Sequence, residues 1–219
     1  MDTPTALLTL IHVLVLAYWL GGDLGAFYSS SFLTSPTRSV PERMLALKIL
    51  NNVDMAPRTA LILALPTGLA LAWMKGWVTL EAYVPALVAL FCLGWLALAW
   101  AVHLKHGAGT GLRNLDLAIR WIVLAALITV GVLAAAERID LPLFIGLKMW
   151  LLATCIVLGL VIRRKLSPIG PPIAEMASSG ATPETDAAIS DVISGTRPVV
   201  VALWLCLLAA TYLGIATPV

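Results

Sequence analysis

The sequence predicts an all-α, polytopic membrane protein with six transmembrane helices in a bundle and both termini outside. Three observations carry that expectation. Of 219 residues, 60% are apolar and only 12% are charged, whereas a soluble domain carries about 25% charged residues. Mean hydropathy is +0.96. Six apolar runs are long enough to cross a hydrocarbon layer of about 30 Å, which takes about 20 helical residues. The basic residues gather in alternate connections, as the positive-inside rule requires. The charge deficit and a net charge of +2 exclude most nucleic-acid binders, secreted disulfide scaffolds and disordered regulators. They leave the lipid bilayer as the first partner.

The spans are expected at 5–28, 58–78, 83–104, 117–136, 142–163 and 198–217. They form a single transmembrane domain over 1–219, with cytoplasmic loops at 29–57 and 164–197. The chain opens Met1-Asp2 and reaches its first apolar run without a basic residue, so that run is expected to be a retained helix rather than a signal peptide. An even number of spans puts both termini on one side. Arg38, Arg43, Lys48 and Arg58 fall in the first connection, and Lys105, Arg113 and Arg120 fall around the third. Arg163, Arg164, Lys165 and Arg197 fall around the fifth. The remaining connections hold only Lys75 and Arg138, so the termini are read as outside, in a bacterial inner membrane.

Two inner connections are long enough for structure of their own. In 39–53, Pro41 and Glu42 suit a first helical turn, and Met44, Leu45, Leu47, Ile49 and Leu50 are expected against the membrane surface. In 167–196 the composition turns to Pro, Gly, Ser and Thr, and Thr182-Pro183-Glu184 suits the start of one short helix. Cys92, Cys155 and Cys206 lie inside apolar runs with no CxxC spacing and read as packing residues.

An ionisable residue at bilayer depth costs roughly 2.5–3.5 kcal/mol on insertion scales and needs a partner or a purpose. His12 lies in the first span, about 10 Å below the outer boundary at 1.5 Å per residue. Lys148 lies in the fifth span, at a depth of about 9 Å by the same rise. The shared depth points to a shared site. A neutral imidazole in a dry helical bundle is a good ligand for haem iron. A lysine beside it pairs as ammonium with a propionate or another anion, or serves as a neutral ligand if desolvation removes its proton. The plainer alternatives are an interhelical hydrogen bond for His12 and a Lys148 stem reaching toward the headgroups.

His103 and His106, spaced i,i+3 at the inner end of the third span, form a second candidate metal site. Interfacial histidines beside Lys105 are the simpler reading. They lie about 20 Å from His12 in depth, counted at 1.5 Å per residue, and cannot share its iron. Asp23, in Gly21-Gly22-Asp23-Leu24-Gly25, is expected to meet Arg58 or another inner cation. Asp54 and Arg58, spaced i,i+4, read as helix entry.

The first helix, with His12 followed by Trp19 and Phe27-Tyr28, resembles that of the HemJ-type protoporphyrinogen oxidases and the related CopD-like membrane proteins. Asn52 to Gly68, with Met55, Pro57 and Pro66-Thr67-Gly68, is similar to the entry into that family's second helix. Gly146 to Leu152, containing Lys148, resembles its lysine-bearing helix, and the span introduced by Arg197-Pro198 resembles its last. The chain departs from the family at Ser29-Ser30-Ser31 and in an additional pair of spans near 80–136. The resemblance implies a b-type haem held by His12 with Lys148, and electron removal from a porphyrinogen as one form of the activity. A quinone or another electron-transfer partner is the expected acceptor, and a homo-oligomer or a complex is the expected assembly. A copper or small-solute transporter and a cofactor-free anchor subunit are the alternatives.

Overall fold

The computed structural model describes residues 2–105 and 110–217. It is helical throughout: α1 Thr3–Leu33, α2 Val40–Val53, α3 Met55–Met74, α4 Tyr83–Leu104, α5 Thr110–Ala135, α6 Leu143–Leu166, α7 Gly170–Ser179 and α8 Pro183–Ala216, with a 3-10 turn at Ser167–Ile169. Six stretches among the described residues are long and apolar enough to cross a membrane. The all-α, six-span fold class expected from the sequence is therefore the observed one.

The spanning helices close into a ring in which α1 packs on α3, α3 on α4, α4 on α5, α5 on α6, α6 on α8, and α8 back on α1. Every one of them contributes to a single core, including Trp19 of α1, Ile62 of α3, Trp95 of α4, Leu127 of α5, Ile156 of α6 and Leu207 of α8. Large apolar side chains also point away from it. Leu90 is 67% exposed and Ile215 79% exposed, and a ring of such residues is stable only if lipid covers them.

Several expected boundaries move, and each move has a local cause. Residues 29–57 are largely helical rather than a loop, because α1 runs on to Leu33 and α2 begins directly after Ser39. The Ser39 backbone N–H donates to Glu42 Oε2 at 2.8 Å, a reciprocal cap that starts α2. The apolar residues of α2 divide between two faces. Met44 and Leu47 pack on a second cluster built from Leu33, Ile173, Met176, Ile189 and Ile193, while Leu45 and Ile49 stay exposed.

The helix expected to be short after Thr182 is instead α8, 34 residues long, which passes through Pro198 without breaking. Thr182 Oγ1 accepts from the Thr185 N–H at 3.2 Å, and Pro183 suits the first turn. Ile189 and Ile193 are buried in the second cluster, so packing holds the segment before Pro198 helical. At 1.5 Å per residue α8 is about 51 Å long, well beyond a hydrocarbon layer of about 30 Å. Its first half forms, with α2 and α7, a cap over one end of the ring. Arg43, fully buried, ties that cap together: its Nε donates to the Leu33 carbonyl at 2.8 Å and its Nη1 to Asp186 Oδ1 at 2.6 Å.

The α1–α3 contact depends on Gly22. A Cβ there would stand 2.6 Å from Ala56 Cβ and 2.7 Å from Pro57 Cδ. Gly22→Ala is expected to cost about 1–3 kcal/mol through overpacking, read as a lower unfolding midpoint in detergent. Gly21→Ala, with nothing within 4 Å of the added carbon, serves as the control and is expected to unfold like the wild type.

Candidate functional site

The end of the ring that carries the start of α1, the end of α3, the start of α6 and the end of α8 encloses a cavity of about 330 Å³. Its wall is mostly apolar, with Val15, Leu16, Trp19, Phe144 and Leu207 among the lining residues. His12 and Lys148, the two residues of matched depth, both line it. Lys148 packs against α8, where a Cβ on Gly214 would lie 2.8 Å from its Nζ. Lys75 stands at the exposed mouth, its ammonium 4.6 Å from the centre of the Trp77 ring.

The orientation of His12 follows from one hydroxyl proton. His12 Nδ1 lies 2.8 Å from Thr67 Oγ1, and the same Oγ1 lies 2.6 Å from the Leu63 carbonyl. A carbonyl only accepts, so the Thr67 proton goes to Leu63, and the hydroxyl oxygen must accept from His12. Nδ1 therefore carries the imidazole proton, and Nε2 carries a free lone pair. Gly68 lets the ring lie close to α3, since a Cβ there would meet His12 Cε1 at 3.2 Å. The Pro66-Thr67-Gly68 segment thus has a direct role at the site, with Thr67 fixing the tautomer and Gly68 making room. Thr67 was not singled out from its side chain chemistry. Its signal was depth: seven residues from the end of α3 is about 10 Å, level with His12.

Of the second candidate site only His103 lies within the described residues. His103 stands edge-on to Trp100 with ring centres 6.0 Å apart, and the Trp100 indole donates to Thr59 Oγ1 at 3.1 Å. His106 lies outside the described residues. Among the described residues, no group of three or more His, Cys, Asp or Glu side chains is placed to hold a metal ion. The three cysteines are free, with Cys92 and Cys155 buried, as expected of packing residues.

The expected Asp23–Arg58 pair is not formed. Arg58 binds Asp54 of its own helix entry instead, four residues away, where a helical turn presents the carboxylate directly. Asp23 Oδ2 is buried with no hydrogen-bond partner. The polar centre that the sequence reading passed over is Asp116, only 2% exposed. It accepts from Arg120 Nε at 3.0 Å, from the Trp95 indole at 3.0 Å and from Arg163 Nη1 at 3.2 Å, joining α4, α5 and α6.

A closed ring of apolar helices with lipid-facing side chains defines a multi-pass helical membrane protein. Compared with known proteins, the chain matches no family model, no curated protein and no solved structure.

Proposed function

We propose that the chain is a b-type haem-binding integral membrane protein of electron transfer or oxidoreduction, working in a bacterial inner membrane. The observation that carries this reading is the setting of His12: its Nδ1 lies 2.8 Å from Thr67 Oγ1, whose proton goes to the Leu63 carbonyl, and its ring lines an apolar cavity. An imidazole whose second nitrogen is held by an acceptor is the form that ligates haem iron. The donor set and the apolar wall fit the group. His12 would hold the iron, Thr67 orients its ring, and Lys148 would supply an ammonium for a propionate. Haem, when bound, supplies a one-electron iron couple.

The protein's own contribution is burial, orientation and charge. The apolar wall would keep water from a group bound at His12, and the Thr67 hydroxyl holds the imidazole in place. Lys148 adds a positive charge within the same cavity. Oxidation of a porphyrinogen, which the HemJ resemblance implies, is one specific form of that activity, with a quinone or an outer partner as acceptor.

Oxidised and dithionite-reduced visible spectra of the detergent-purified protein test the reading. A Soret band with reduced α and β bands is expected; a colourless, folded protein expressed with ample haem supply would sink the proposal. In Lys148→Met the bands are expected to keep their positions, while haem retention weakens about tenfold. The midpoint potential is expected to move downward, because a positive charge that favours the reduced iron has been removed. Bands that move in this variant would instead place the lysine nitrogen on the iron.

A further inference from the structure

A second cavity, also of about 330 Å³, lies at the opposite end of the ring. It is enclosed by the second half of α1, by α2, by the start of α3, by the end of α6 and by the middle of α8. Arg58, Arg163 and Arg197 line it, together with Asp23 and Asp54. Their charges do not cancel. Arg58 is matched by Asp54. The single charge of Asp116 is shared by Arg120 and Arg163, which leaves a surplus of positive charge there. Among the described residues Arg197 makes no ion pair; its guanidinium rests 5.3 Å from the centre of the Phe27 ring.

Among the described residues four side-chain atoms are buried without a hydrogen-bond partner, Asp23 Oδ2, Arg43 Nη2, Arg197 Nε and Trp204 Nε1, and the two from Asp23 and Arg197 belong to residues that line this cavity. Arg197 Nε is a donor without an acceptor, and Asp23 Oδ2 is an acceptor without a donor. Burying such groups costs about 1–3 kcal/mol each, more for charged ones, unless something satisfies them. The rest of the wall mixes apolar residues, Leu33, Leu50, Ile162 and Leu166 among them, with Ser30, Asn51, Ser167 and Thr196. A ligand that satisfies all of this carries an anionic oxygen for Arg197 and Arg163, a hydroxyl for Asp23, and a hydrocarbon body for the leucines and isoleucines.

We propose that this cavity binds the headgroup of an anionic phospholipid, a phosphodiester bearing a hydroxyl, drawn from the leaflet beside the basic end of the protein. The phosphate sits against Arg197 and Arg163, a headgroup hydroxyl donates to Asp23, and the first carbons of the acyl chains lie along Leu50, Ile162 and Leu166. Arginine suits the phosphate because its planar fork offers several donors at once, and basic residues at this level of a membrane attract anionic headgroups. The site is separate from the His12 cavity, and its occupancy does not depend on the haem reading.

Thermal unfolding of the full chain in a neutral detergent, titrated with dihexanoyl-phosphatidylglycerol, dihexanoyl-phosphatidylcholine or sodium phosphate, tests the proposal. Saturable stabilisation by phosphatidylglycerol is expected, half-maximal at a concentration about tenfold below that of phosphatidylcholine. Arg197→Gln is expected to abolish that difference, while Arg38→Gln, on the exposed surface, keeps it. Val200→Phe, which fills the cavity and retains the arginines, is expected to abolish it too, and it decides the matter if Arg197→Gln does not fold. Equal responses to the two lipids, or a preference that survives both cavity variants, would overturn the proposal. Full stabilisation by sodium phosphate alone would overturn the lipid and make the ligand a soluble anion.

Discussion

On the proposed haem reading, replacing His12 by alanine is expected to lower the haem-to-protein ratio about tenfold or more. The chain has three histidines, and His103 stands beside Trp100 at the other end of the ring. No other imidazole among the described residues lines the His12 cavity. The loss is expected to be one of ligation and not of folding, because Thr67 keeps its own bond to the Leu63 carbonyl when His12 is gone. Adding free imidazole to the purified variant separates the two causes. It is expected to restore the Soret band by occupying the space the side chain left. A His12→Ala protein with an unaltered spectrum would remove His12 from the iron, whatever else holds it.

The largest loss of stability is expected from Asp116→Ala. Asp116 is buried and accepts from two guanidiniums and an indole. Its removal leaves Arg120, itself 5% exposed, as an uncompensated charge beside Trp95. Breaking one side of a buried ion pair costs about 3–5 kcal/mol, a large share of the total stability of a typical domain. Asp116→Asn is expected to cost less, since an amide oxygen still accepts from the Trp95 indole. Equilibrium unfolding in mixed micelles measures both, with the exposed Asp140→Asn as reference. An Asp116→Ala midpoint equal to that of the reference would show that the arginines find other partners.

The two expectations differ in how far the sequence foretold them. His12 and Lys148 stood out because ionisable residues are rare in apolar spans, and equal depth suggested that they meet. Asp116 was invisible because it lies near the start of a span, among Arg113 and Arg120, where a carboxylate looks like part of a solvated helix end. Only the approach of α4 and α6 turns it into a buried centre. Arg43 was hidden in the same way. It counted toward the basic end of the protein, yet it is fully buried and bonded to Asp186, 143 residues further along the chain.

The sequence by itself determined the number of spans, their helical state and their apolar composition, because each follows from runs of local residues with the length of a bilayer. It also determined the depth of His12 and Lys148, since 1.5 Å per residue converts position into depth. Tertiary structure alone decided which face of each helix looks inward. Lipid and protein core are equally apolar, so Leu207 in the core and Ile215 facing outward carry the same signal. Rotation and neighbour order therefore come from packing, through close approaches such as Gly22 against Ala56, and they bring Thr67 to His12 across 55 residues of chain.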